Sequence, residues 1–467
     1  MRPWLVRRLI YPLHERLLGR PTFAYLAELE RTQWLSRQEI EDLQWRRLGA
    51  LLRLAQAHSP WYARRMQEAG LDPHRDFDLE DFRRLPPVDK EDMRRHGAEM
   101  VWKGVPGGAH RYTTGGSSGQ PLVFHYGRRR QASDAAGRMR ARRWWGVEVG
   151  DPEVYLWGAP VELDKTDRIR RIRDRLFNQL VLNAFAMSPR NMESYLEAIR
   201  AFRPRCLYGY ASSLALLAAH ARDRGGLRVP SLRVVCTTGE PLYPHQRRLI
   251  EEGFGVPVAN EFGSRDIGFT AHETPSGQML LLSESLLLEV LDPQGNPVPP
   301  GALGEAVLTG LCSEAQPFIR YRTGDMLRLA AEPDREGRGL HVIAEVLGRT
   351  TDFIVRPDGT LMHALALIYV LRELPGVAAF RIVQQELNHF EVLVVPSERW
   401  RGDADEAAIR QGLQARLGPE ARIALQRVEA IPVEASGKHR YVVSRVPLPE
   451  HLREATAGSD SHQEASA

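Results

Sequence analysis

Three consecutive runs, Cys206-Leu-Tyr208, Ser212-Ser-Leu-Ala-Leu-Leu-Ala-Ala-His-Ala-Arg222 and Leu232-Arg-Val-Val-Cys-Thr237, decide the fold: a short apolar run, a helix-length run and a second short apolar run. Short apolar runs bounded by turn residues read as buried strands, and a helical segment between two of them is the crossover that parallel pairing needs. Working outward, Val154 to Trp157 and Val256 to Ala259 are further strand-like runs, and Arg190 to Ala201 is a further helix. This alternation is the signature of βαβ units and a largely parallel sheet, so the fold class expected is α/β.

Further out, residues 1 to 105 read as a helical layer of the same large domain, with Trp34, Leu35, Ile40, Leu43, Leu48, Leu51, Leu52 and Leu54 at three-to-four spacing. The core then runs from 106 to 347, where Leu286 to Leu291 and Glu305 to Leu311 flank a turn-rich loop and read as paired strands. From 348 to 446 the strand and helix pattern repeats on a smaller scale, which predicts a small, mobile C-terminal α+β domain. Residues 447 to 467 hold almost no large apolar residue and read as a disordered tail.

The 467 residues carry 63 basic and 59 acidic side chains, a net charge of +4, with 43% hydrophobic and 26% charged residues. That balance gives no argument for nucleic acid, and the apolar runs fall short of the ~18 residues of a membrane span. Cys206, Cys236 and Cys312 form no C-x-x-C pair and have no histidine at metal-ligand spacing, which fits a reducing cytoplasm. Five arginines against Glu15 put the whole net charge of +4 in residues 1 to 20, where Trp4, Leu5, Leu9, Ile10, Leu13, Leu17 and Leu18 are interleaved with them. Such a segment either packs on the large domain or makes peripheral contact with an anionic membrane. Only four lysines occur among the basic residues, Lys90, Lys103, Lys165 and Lys438, so each is a position where arginine has not sufficed.

Arg111-Tyr-Thr-Thr-Gly-Gly-Ser-Ser-Gly-Gln-Pro121 is dense in glycine and hydroxyl groups, a composition that lets backbone N–H and side-chain O–H groups surround phosphate. No lysine follows its last glycine, so it is not the common nucleotide-hydrolase loop. Five further segments follow in order: Cys236-Thr-Thr-Gly-Glu-Pro241, Asn260-Glu-Phe-Gly-Ser-Arg-Asp-Ile-Gly268, Tyr321-Arg-Thr-Gly-Asp325, Leu347-Gly-Arg-Thr-Thr-Asp352 and Ala435-Ser-Gly-Lys-His-Arg440.

Together these six motifs resemble the adenylate-forming superfamily, the acyl-CoA synthetases and their relatives, and more narrowly its phenylacetate-CoA ligase and CapK-type branch. The resemblance implies that ATP and a small carboxylic acid are joined as an acyl-AMP and that the acyl group then passes to an acceptor, coenzyme A by expectation. Alternatives are transfer to a hydroxyl or amine of a surface-polysaccharide precursor, and a catalytically silent nucleotide-binding scaffold. By the same resemblance Thr113, Thr114, Gly115, Gly116, Ser117, Ser118 and Gly119 hold the β- and γ-phosphates; Thr238, Gly239 and Glu240 line the adenine; and Asp325 accepts from the ribose hydroxyls. Asp266 holds Mg²⁺, Arg349 reaches the nucleotide from the domain junction, and Lys438 assists adenylation.

There are departures. Asp266 stands where relatives commonly carry Glu, and Thr351 where they carry the hinge Asp, while Val355-Arg-Pro-Asp-Gly-Thr360 lacks the turn that many CoA ligases have. Two groups of residues stay open at this level. Arg128 to Arg130 with Arg138, Arg140, Arg142 and Arg143, and the run Asp167 to Arg175, read either as solvated helix faces or as phosphate contacts. Tyr155, Trp157, Tyr208 and Tyr210 read as core or as the lining of an acyl pocket.

Overall fold

The first of the buried runs is strand over Cys206–Tyr210, and the run after it is a helix, Ala211–Arg222, buried at every residue from Ala211 to Ala221. A helix enclosed on all sides needs small residues, and its neighbour Pro244–Phe254 comes so close that a Cβ on Gly253 would lie 2.4 Å from the Ala218 carbonyl oxygen. The alanines and Gly253 together set this spacing. The computed structural model describes residues 1–113, 122–158, 172–184, 186–239, 242–292, 294–347, 353–356, 361–363, 365–431 and 441–446.

A ribbon of β1 (His110–Thr113) and β2 (Val123–Tyr126) precedes an eleven-stranded sheet. Its strands are β3 (Glu153–Trp157), β4 (Gln179–Asn183), β5 (Cys206–Tyr210), β6 (Val234–Thr238), β7 (Val258–Ser264), β8 (Gly268–Glu273), β9 (Met279–Leu281), β10 (Leu286–Leu291), β11 (Leu303–Gly310), β12 (Tyr321–Leu329) and β13 (Val342–Leu347), in the order β10-β11-β12-β13-β9-β8-β7-β6-β5-β3-β4. Strands β3 to β7 pair in parallel, and every pairing from β7–β8 to β10–β11 is antiparallel. The parallel expectation therefore holds for one half only. Three residues join β7 to β8, far too few for a crossover, so the chain must turn back on itself there.

The N-terminal helices cover the antiparallel half: Leu29, Leu48, Leu52, Tyr62 and Phe82 share one core with Leu281, Leu308 and Tyr321. Trp34, by contrast, is exposed. Beyond β13 lie the hairpin β14 (Phe353–Val355) and β15 (Leu361–His363), and a four-stranded sheet of β16 (Val377–Glu386), β17 (His389–Pro396), β18 (Arg422–Arg427) and β19 (Val442–Ser444), with helices Leu365–Arg372 and Asp403–Leu417. Residues 447 to 467 lie outside the described residues. Cys206 and Cys236, distant in sequence, are buried neighbours with sulfurs 3.7 Å apart, and both are thiols.

The N-terminal twenty residues pack on the large domain, yet leave one side bare. Arg7 Nε donates to the Val149 carbonyl at 3.0 Å, the Tyr11 and Phe177 rings stack at 4.7 Å, and Val6 and Glu15 are buried. Trp4, Leu9, Leu13 and Leu17 remain exposed, as do Ile172 and Leu176 beside the Phe177 that Tyr11 covers. Among the described residues no helix is long and apolar enough to cross a membrane.

Candidate active site

The turn between β7 and β8 carries Asp266, only 4% exposed. Its Oδ2 accepts from the Tyr321 hydroxyl at 2.6 Å, its Oδ1 accepts from the Ser264 hydroxyl, and Lys90 Nζ lies 3.9 Å from Oδ2. Burial pushes this carboxyl up, but the Lys90 charge and the two hydroxyl donors outweigh it and hold the group below the usual carboxylate range. A buried, ionised carboxylate is thus held at the end of the parallel half of the sheet, where ligands of α/β sheets gather.

Lys90 reaches this point because its helix, Lys90–Met100, is docked on β12. Val88 N–H donates to the Arg320 carbonyl and Arg322 N–H to the Val88 carbonyl, each at 2.8 Å, while Asp89 caps the helix through the Glu91 and Asp92 N–H groups. Arg320 secures the same junction: its guanidinium pairs with buried Glu289 and donates to the Leu85 carbonyl at 2.7 Å. Sequence reasoning gave Lys90 no role; the scarcity of lysine was its only signal.

The loop predicted to hold phosphate begins beside Asp266. Arg265 donates to the Thr113 carbonyl at 3.4 Å, and the Tyr126 hydroxyl donates to the Arg265 carbonyl, so both strands of the β1–β2 ribbon touch the turn. Thr113 closes β1, and Thr114, Gly115, Gly116, Ser117, Ser118 and Gly119 lie outside the described residues.

Asp325 sits within β12. Between the pairs Glu305↔Met326 and Val307↔Arg322 one residue of β11 faces three of β12, a bulge that displaces Thr323, Gly324 and Asp325 from the ladder. Gly324 takes φ +78° there, and the Thr323 hydroxyl accepts from the Asp325 N–H at 3.1 Å. Tyr321, at the start of the same motif, is the residue that holds Asp266, so two of the six motifs meet through one hydrogen bond.

Thr238 ends β6, is buried, and donates to Glu261 Oε1 at 3.4 Å. Gly239 follows at φ +78°, where a Cβ would meet the Tyr210 ring at 3.3 Å. Glu240, Arg349, Thr351 and Lys438 lie outside the described residues.

Arg130, Arg138, Arg140 and Arg142 of the Arg128–Trp144 helix are engaged by other parts of the fold, whereas Arg129 is exposed. Arg140 is buried in an ion pair with Glu284, Arg142 pairs with Glu153, Arg138 pairs with Glu261 at 3.2 and 3.3 Å, and Arg130 lies over the Tyr126 ring at 4.2 Å. Periodicity could not reveal this, because the partners come from β3, β7 and the β9–β10 turn. Tyr208, Trp157 and Tyr210 form a stack, with ring centroids 5.7 Å and 4.5 Å apart in that order.

Among the described residues no group of three or more His, Cys, Asp or Glu side chains is placed to hold a metal. A single ionised carboxylate still suits magnesium, which keeps several waters and is commonly held by one or two carboxylates together with substrate phosphates. Asp266, with lone pairs left on both oxygens, meets that requirement.

Several known proteins are similar to this chain. The family profile of the CapK C-terminal domain matches residues 354–445. The chain is 28% identical over 407 residues to a phenylacetate-coenzyme A ligase of Thermus thermophilus, covering 83% of each chain, and 22% identical over 434 residues to Protein CapK of Staphylococcus aureus, covering 91% of this chain and 94% of that one. The fold matches a 2-hydroxyisobutyryl-CoA ligase crystal structure in complex with an acyl-AMP, with a TM-score of 0.57 at 24% identity over 89% of this chain and 91% of that one. In its six ordered motifs, its fold and these relatives the chain resembles the adenylate-forming superfamily, and within it the phenylacetate-CoA ligase and CapK-type branch.

Proposed function

We propose that the protein joins a carboxylic acid to the α-phosphate of ATP, releases pyrophosphate, and transfers the acyl group from AMP to the thiol of coenzyme A. The observation that carries this reading is the contact of Tyr321, from the predicted ribose-binding motif, with Asp266, beside Lys90 and the start of the phosphate loop. Joining two anions requires charge neutralisation and fixed positions before the carboxylate oxygen attacks phosphorus. Asp266 would hold Mg²⁺, which when bound supplies neutralising charge at the phosphates. Lys90 adds a fixed ammonium, Thr113 opens the loop that faces the phosphates, and Asp325 receives the ribose hydroxyls. Thr238 and Gly239 form the adenine edge.

Pyrophosphate release from ATP with a panel of aryl and short acyl acids, with and without coenzyme A, is the direct test. Release with thioester formation supports the reading; release without thioester directs attention to a hydroxyl or amine acceptor, the alternative that the CapK match favours. No release with any acid leaves a nucleotide-binding scaffold. Asp325→Ala should weaken ATP binding itself by roughly tenfold to over a hundredfold, the cost of a charge-assisted hydrogen bond of ~1.5–3 kcal/mol. An unchanged ATP dissociation constant in titration calorimetry removes Asp325 from the nucleotide site.

We also propose peripheral contact of residues 1–20 with anionic lipid. Trp4, Leu9, Leu13 and Leu17 are 58%, 56%, 51% and 78% exposed, and exposed Arg2, Arg8 and Arg16 lie among them. Apolar side chains of this kind enter the headgroup region while arginines meet its charge. Because Arg7 and Tyr11 anchor the segment from its other side, replacing Trp4, Leu9, Leu13 and Leu17 together by Ser leaves that packing in place. Co-sedimentation with phosphatidylglycerol vesicles at low salt should be lost in this variant, with adenylation retained. Wild-type protein that stays in the supernatant defeats the proposal.

A further inference from the structure

A cavity of about 110 Å³ lies between the Arg128–Trp144 helix, strands β3 and β4 and the N-terminal Tyr11. Arg142 is its distinctive wall. This guanidinium is 5% exposed, pairs with Glu153 through Nη1 and lies 4.8 Å over the Tyr208 ring. Its Nε and Nη2 have no hydrogen-bond partner among the described residues. Three N–H donors are thereby buried without an acceptor, and unmade buried donors are costly, so the site is built for an oxygen that the protein itself does not supply. The Tyr155 hydroxyl, donating to Glu153 at 3.2 Å and accepting from Gln179 at 3.3 Å, adds a second polar point on the same wall. Met139, Phe177 and the Tyr11 ring supply apolar lining beside Arg138, Glu148 and Gln179.

The cavity connects to the nucleotide edge through contacts already described. Arg138, on its wall, pairs with Glu261, which accepts from Thr238. Alongside runs the aromatic stack, from Tyr210 against Gly239 through Trp157 to Tyr208, whose ring lies under Arg142. An acyl group that started at the α-phosphate and followed this wall would end at Arg142. Charge then limits what the end of that group can be. Arg142 is balanced by Glu153 and Arg138 by Glu261, and Glu148 also borders the cavity, so a second carboxylate would meet no spare positive charge.

Building on the adenylation reading above, we infer that the acid activated by this enzyme carries a neutral hydrogen-bonding group, a hydroxyl, carbonyl or amide, at the end remote from its carboxylate, and that Arg142 receives it. Arg142 is then a specificity residue.

The test compares matched acids in ATP–pyrophosphate exchange by the full chain: 4-hydroxyphenylacetate against phenylacetate, 6-hydroxyhexanoate against hexanoate, and adipate as the doubly anionic control. Wild-type enzyme should favour the hydroxylated member of a pair by roughly a hundredfold or more in kcat/KM, since a site made to bond a polar group rejects the analogue lacking it. Arg142→Lys keeps a positive charge beside Glu153 but loses the guanidinium fork, and Tyr155→Phe keeps the ring; each should reduce that ratio by about tenfold or more. Preference for the unsubstituted acid or for adipate, or a ratio that Arg142→Lys leaves intact, overturns the inference. If no acid supports exchange, the adenylation reading falls while calorimetric titration of the same pairs still decides the cavity: tighter binding of the hydroxylated acid that Arg142→Lys abolishes supports it, and equal binding refutes it.

Discussion

Lys438→Ala should bind ATP like the parent protein and lose adenylate formation by ~10²–10³ in rate, the usual consequence of removing one charged donor from a developing negative charge. Arginine has taken nearly every basic position in this chain, yet Ser436-Gly-Lys-His-Arg440 retains a lysine directly after glycine. A compact ammonium on a thin stem fits between an attacking carboxylate oxygen and the α-phosphate, whereas a planar guanidinium is wider and its donors are fixed in a fork. Lys438→Arg should therefore rescue poorly. If this ammonium serves adenylation alone, the same variant should still transfer the acyl group from a chemically synthesised acyl-adenylate to coenzyme A. Single-turnover pyrophosphate release separates the two steps, and parental release by Lys438→Ala removes the lysine from adenylation.

What could be read from the chain depended on how local the signal was. Buried strands and the enclosed helix at Ala211–Arg222 are local in composition, so the parallel half of the sheet was legible, and the motifs that hold Asp266, Thr238 and Asp325 are likewise local runs of sequence. The antiparallel half was less so, because β8 to β13 are separated by loops whose lengths, rather than residue patterns, decide the direction of pairing. Arginines of the Arg128–Trp144 helix misled for a related reason. Spacing along a helix describes one surface, but acids at Glu153, Glu261 and Glu284 arrive from elsewhere in the fold and turn that surface into ion pairs, buried at Arg140 and Arg142. The bulge that carries Asp325 was likewise invisible, since it is a mismatch between two strands and belongs to neither sequence alone.

Lys90 is the sharpest case of that kind, and its replacement is the second large effect expected. It stands 176 positions before Asp266, and only the docking of Val88 on the start of β12 brings the two within 3.9 Å. Lys90→Met removes a fixed positive charge beside the carboxylate and beside the start of the phosphate loop, and should slow pyrophosphate release by ~10²-fold or more. Two further readouts identify the cause. With Lys90 present, Asp266 lies below its unfolded pKa, so its contribution to stability is present above about pH 4 and is lost as pH falls through the lower folded value. Removing the ammonium raises the folded value, so the acid limb of the stability and rate profiles should move to higher pH. The same ammonium opposes a divalent cation at Asp266, so the magnesium concentration for half-maximal activity should fall in Lys90→Met even as the rate falls. A lysine that merely holds its helix in place would lower stability at every pH and leave the magnesium dependence unmoved. Lys90→Met with parental pyrophosphate release would show that Asp266 works without this partner.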